Sequence, residues 1–63
     1  MARVAAVVVG GTEKFLDAET VGDVKAAMNA KTYTATVNGE PADDSTEVNE
    51  NDFVSLAPAV KGA

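Results

Sequence analysis

The chain has 63 residues, 46% of them hydrophobic, and a net charge of −5 from five Lys and Arg against ten Asp and Glu. That length holds one domain. The absence of Cys excludes disulfides, cysteine zinc sites and iron–sulfur clusters, the absence of His removes the commonest general base and metal ligand, and the acidic balance repels phosphate backbones and so argues against nucleic-acid binding. Twelve residues are Ala, ten are Val and none is Ile, so the core is built mostly from small side chains. A domain this small buries roughly 60% of its unfolded surface and is only modestly stable. No apolar run approaches the roughly 18 residues of a membrane span.

Residues 3–9, RVAAVVV, are rich in β-branched residues and almost continuously apolar. That pattern fits a strand covered on both faces, or a central one. Gly10-Gly11-Thr12-Glu13 follows without a cleavage site, so the segment reads as a strand of a cytoplasmic protein and not as a signal sequence. Gly10-Gly11 is a two-residue hairpin signal, which makes residues 12–17, TEKFLD, the returning strand. Its register stays open, because the adjacent Phe15 and Leu16 cannot both face one core.

Thr20 with Asp23 three residues later resembles a capping box, with Asp in place of Glu or Gln. Val21, Val24 and Met28 recur on one helical face, and Ala26 and Ala27 favour helix. Gly22 costs about 1 kcal/mol relative to Ala. The helix is expected to end at Asn29 or Ala30 after two to three turns. It is too short to stand alone in water and must lie on a sheet.

Residues 32–37, TYTATV, alternate, with Tyr33, Ala35 and Val37 on one side and Thr32, Thr34 and Thr36 on the other. Asn38-Gly39 is a strong hairpin signal, Glu40-Pro41-Ala42 is a stub of strand, and Pro41 suits an edge. Residues 43–46 form a loop, Glu47-Val48 is a short extended piece, residues 49–52 turn, and residues 53–58, FVSLAP, are the last strand. The expected fold is α+β: a mixed four- or five-stranded sheet with one helix across one face. The first and last strands lie parallel at its centre, because the helix-bearing stretch supplies the crossover. Residues 1–58 form the domain and 59–63 a flexible tail.

This element order, with Val37-Asn38-Gly39, the acidic turn at Asn51-Asp52, Val54 and Leu56 in alternation, and Pro58 to Ala63, resembles the ubiquitin-like β-grasp family. Within it, the chain is similar to the ThiS and MoaD sulfur carriers. The resemblance covers the whole chain in element order and residues 37–63 in motif. It implies a β-grasp fold and a monomeric, non-enzymatic carrier. Its C-terminal tail would be presented to an adenylating, E1-like enzyme that uses ATP, and the carrier itself has no cofactor. Lys61, Gly62 and Ala63 would be the activation and transfer tail. The family ends in Gly-Gly, and Ala63 departs from that by one methyl group beside the reacting carbon.

If Val54 and Leu56 face the helix, as the family's inward positions do, then Phe53, Ser55 and Ala57 lie on the open face. The opposite register would put Phe53 in the core. The resemblance implies partner binding through Phe53, Ser55, Ala57, Pro58, Ala59 and Val60. A second reading, which Ala63 favours, is a non-conjugating binding module such as a regulatory or assembly subunit. The acidic residues Glu40, Asp43, Asp44, Glu47, Glu50 and Asp52 do not fit a calcium-loop spacing and read as a solvated surface. Gly10-Gly11 lacks the Lys-Ser or Lys-Thr of a phosphate loop.

Overall fold

A computed structural model describes residues 2–58. In chain order its elements are β1 (Ala2–Val8), β2 (Lys14–Ala18), α1 (Val21–Ala27), β3 (Thr34–Val37), β4 (Glu40–Ala42) and β5 (Phe53–Ala57). The strands form one mixed sheet in the order β2-β1-β5-β3-β4. β1 and β5 are parallel, with Ala6 opposite Val54 and Val8 opposite Leu56, and every other pairing is antiparallel. The architecture is α+β, as expected, with the parallel pair in the middle of the sheet.

The helix is built as its sequence suggests. The Thr20 hydroxyl accepts from the Asp23 N–H at 3.3 Å, and the Asp23 carboxylate accepts from the Thr20 N–H at 3.3 Å, which closes a capping box. Its end is a Schellman turn: Ala30 N–H donates to Lys25 C=O at 2.8 Å and Asn29 N–H to Ala26 C=O at 3.2 Å. Asn29 takes the left-handed conformation (φ 58°) usually given to glycine. The sequence provides no glycine there, so asparagine does the work and the helix stops after two turns.

Gly22 has a specific reason to be there. Its N–H donates to Asp44 C=O at 2.9 Å, and a Cβ would lie 3.3 Å from that oxygen. The loop before β5 therefore rests on the first turn of α1, where a larger residue would crowd it. Lys25 reinforces the same junction. It is buried, and its Nζ meets Asp44 Oδ1 at 2.6 Å.

One face of the sheet is covered. Val4, Ala6, Ala35, Val54 and Leu56 from the strands meet Val21 and Val24 from the helix, all with no exposed surface, and Ala18, Ala30 and Val48 close the margins. Leu16, Met28, Tyr33 and Val37 pack around this centre and are half-buried.

Two expectations need correction. The Gly10-Gly11 hairpin is not a two-residue turn. Pairing of β1 with β2 begins at Ala6–Lys14, and residues 9–13 make the connection, because β1 runs on beside β5 after β2 has left it. Of the two readings of the first strand, covered on both faces or central, the second is the one that forms. It is an interior strand, but only Val4 and Ala6 are fully buried in it, while Ala5 and Val7 are half-buried and Val9 is exposed. The third strand starts at Thr34, two residues later than expected, since Tyr33 N–H is still tied to Ala30 C=O at 3.0 Å.

Candidate functional site

The other face of the sheet carries no helix. Strand alternation and the pairing register lay its residues out in rows. Arg3 stands beside Asp17, and the two form an exposed ion pair (Nε to Oδ1, 3.3 Å). The next row runs Phe15–Ala5–Phe53 across three strands. Then come Val7, Ser55, Thr36 and Pro41. The last row pairs Ala57 with Thr34. Val9, one residue beyond β1, continues the alternation, and its N–H still donates to Leu56 C=O at 2.8 Å.

Among the described residues, the large hydrophobic side chains left exposed are Val9 (62%), Phe15 (65%) and Phe53 (41%). All three belong to this face. The two aromatic rings rise from strands about 10 Å apart, two strand spacings, with the small Ala5 between them. Isolated exposed hydrophobes are ordinary, whereas three on one uncovered sheet face form a patch.

The position of Phe53 is fixed by a lock at the start of β5. Asn38 N–H donates to Phe53 C=O at 2.7 Å, and Phe53 N–H donates back to Asn38 Oδ1 at 3.0 Å. Asn38 Nδ2 donates to Asp52 Oδ1 at 3.0 Å, and the other Asp52 oxygen accepts from Asn49 N–H at 2.7 Å. Asn38 (φ 53°) and Gly39 (φ 89°) are both left-handed, the combination a two-residue hairpin turn needs. The 49–52 turn is held in turn by β1, because Asn51 N–H donates to Arg3 C=O at 3.0 Å and Ala5 N–H to Asp52 C=O at 3.0 Å.

The residues expected to bind a partner fall as follows. Phe53 is exposed on the open face, and Ser55 and Ala57 are half-buried on it. Val54 and Leu56 point to the helix and are fully buried, so of the two registers left open it is the one with Phe53 outside that forms. Pro58 is exposed just after β5. Ala59, Val60, Lys61, Gly62 and Ala63 lie outside the described residues. Phe15, Val7, Val9 and Pro41 are members of the face that the sequence reading did not gather. For Phe15 the missing information was the β1–β2 register, which sets Leu16 opposite the core residue Val4 and turns Phe15 outward.

The acidic residues do not form a cation site. Among the described residues, no group of three or more His, Cys, Asp or Glu could hold a metal ion. Asp43 serves its own loop: its carboxylate accepts from the Thr46 hydroxyl at 2.8 Å and the Ser45 hydroxyl at 3.1 Å. These bonds, that from Thr46 foremost, hold its pKa below the ordinary Asp value. Among the described residues no helix is long and apolar enough to cross a membrane. The open face has neither an enclosing wall nor a nucleophile beside a base, so what its geometry offers is contact surface.

No family model matches the chain, and no curated protein matches it significantly.

Proposed function

We infer that the chain is a ubiquitin-like β-grasp carrier of the sulfur-carrier type, which docks on an adenylating enzyme through its open face and offers residues 59–63 to that enzyme's active site. The observation that carries this reading is the gathering of Phe15, Phe53 and Val9 on the uncovered face, from β2 across β1 to β5, the strand that leads into those residues. A carrier needs no acid, base or nucleophile of its own. It needs a rigid handle and an arm beside it, and the partner uses ATP to activate the arm. The sheet order with a central parallel pair and one helix on one face also fits the β-grasp assignment.

A second reading has one observation in its favour. Ala63 stands where the carriers have glycine, and its methyl group narrows the choice of backbone angles next to the reacting carbon. On this reading the domain is a binding module that uses the same face without any chemistry at the tail.

One experiment separates the two. The chain is incubated with a sulfur-carrier adenylating enzyme and ATP, and its intact mass is followed, in parallel with A63G and with a deletion of residues 60–63. An adenylate on the parent chain, converted to a thiocarboxylate when sulfide is added and lost in F53S and F15S, is the expected result for a carrier. Adduct formation in A63G alone identifies the methyl group as the block. No adduct in either chain, with binding that survives the deletion, rejects the carrier in favour of the module.

A further inference from the structure

The turn that seats Phe53 contains the sequence Asn38-Gly39, and none of the other asparagines (Asn29, Asn49, Asn51) precedes a glycine. Asparagine is among the thermolabile residues, and one followed by glycine is the most exposed to loss of its amide, because no Cβ shields the following nitrogen. We propose that Asn38 is a deamidation site gated by folding, and that its conversion breaks the lock on Phe53.

The chemistry is internal except for water. The Gly39 nitrogen attacks Asn38 Cγ and gives up its proton to solvent. The Cγ–Nδ2 bond breaks, the departing nitrogen takes up a proton, and ammonia leaves a succinimide ring. Water then opens the ring at one carbonyl or the other. One opening leaves aspartate at position 38, and the other leaves isoaspartate, with an extra methylene in the main chain.

In the folded chain both ends of the carboxamide are engaged. Oδ1 accepts from Phe53 N–H and Nδ2 donates to Asp52 Oδ1, each at 3.0 Å. The orientation is unambiguous, since an N–H can only donate and a carboxylate can only accept. Attack by Gly39 requires the carboxamide to turn out of both bonds towards its own chain. The reaction is therefore slow while the turn is closed and proceeds when β3, β4 and β5 part.

The product does not fit back. A carboxylate at position 38 has no donor for Asp52, so two negative groups face each other across a hydrogen-bond distance. Isoaspartate also lengthens a two-residue turn whose register sets Val37 opposite Glu40. Either form loosens the 49–52 turn and the start of β5. The inference stands on this geometry whatever docks on the open face.

The test holds the full chain at mildly alkaline pH, folded in buffer and unfolded in denaturant, and measures conversion at position 38 by peptide mass mapping. Folded protein is expected to convert at least tenfold more slowly than unfolded protein, and a ratio below that overturns the gate. The product is tested by substitution. N38D is expected to melt lower than the parent, and N38D/D52N to melt higher than N38D. In the double variant the new amide at 52 can donate to the carboxylate at 38 while its oxygen keeps the Asn49 N–H. If N38D melts with the parent, or if D52N brings no recovery, the proposed consequence for the lock is wrong.

Discussion

The two faces of the sheet come from the same five strands, and β1 contributes valine and alanine to both. On the helix side Val4, Ala6, Val54 and Leu56 have no exposed surface. On the other side Ala5 and Val7 are half-buried, and Phe15 and Phe53 are exposed. The covered face is small and tight, filled mainly by Ala and Val, whereas both phenylalanines stand on the open one. In a domain so short of large hydrophobes, a phenylalanine in the core would add more burial than the valines do. Both phenylalanines are nonetheless outside. The fold uses its small side chains to hold together and leaves its largest apolar side chains on the open face.

The largest expected effect sharpens this contrast. Leu56→Ala should destabilise the domain by about 2–5 kcal/mol, because it empties a fully buried position under the helix. Phe15→Ser, on the opposite face two strands away, should change stability by no more than about 0.5 kcal/mol. Denaturant unfolding of both variants checks the pair. Equal losses would mean that the open face belongs to the core after all.

The next concerns what holds the cover on. Asp44→Ala leaves the buried Lys25 ammonium without its carboxylate and should cost about 1–3 kcal/mol. Lys25→Met removes the buried charge and leaves Asp44, which is 66% exposed, in water, so it should be close to neutral. Comparable losses in the two variants, read from thermal melts, would show that the ion pair itself and not the stranded charge carries the effect.

The smallest expected effect lies in the loop that Lys25 anchors. The Asp43 pKa is lowered in the folded chain, so the stability it contributes is present above the ordinary Asp value and disappears as pH falls through the folded one. Asp43→Asn should therefore melt slightly below the parent at neutral pH, and the gap should close in acid. A gap that stays constant across the acid range would rule out the carboxylate as its source.

The C-terminal half of the fold could be read from the sequence because its strands carry a mark on each side. Thr34 and Thr36 alternate with Ala35 and Val37, Ser55 separates Val54 from Leu56, and Asn38-Gly39 fixes the turn between β3 and β4. β1 has no such marks. Ala5-Ala6-Val7-Val8 is apolar on both sides, so its covered face is decided by where the helix lies, which no local pattern states. Phe15 was ambiguous for a related reason: the length of the 9–13 connection sets the register of β2. The burial of Lys25 could have been found, since Val21, Val24, Lys25 and Met28 fall at i, i+3, i+4 and i+7 on one helical stripe. A lysine at such a position reads as solvated until the acidic loop that meets it is known. The Asn38–Asp52 bond was out of reach, because it joins residues from two turns that only the closed sheet brings together.

β5 sits in the middle of the sheet, yet of its five strands it is the last to be synthesised. Until it emerges from the ribosome, β1 and β3 have no common neighbour and the helix has only half a floor. The two hairpins that precede it are each marginal alone in water. Folding must therefore wait for translation to pass residue 57. The closing step is then a single insertion between partners far apart along the chain, the kind of long-range contact that slows a small domain.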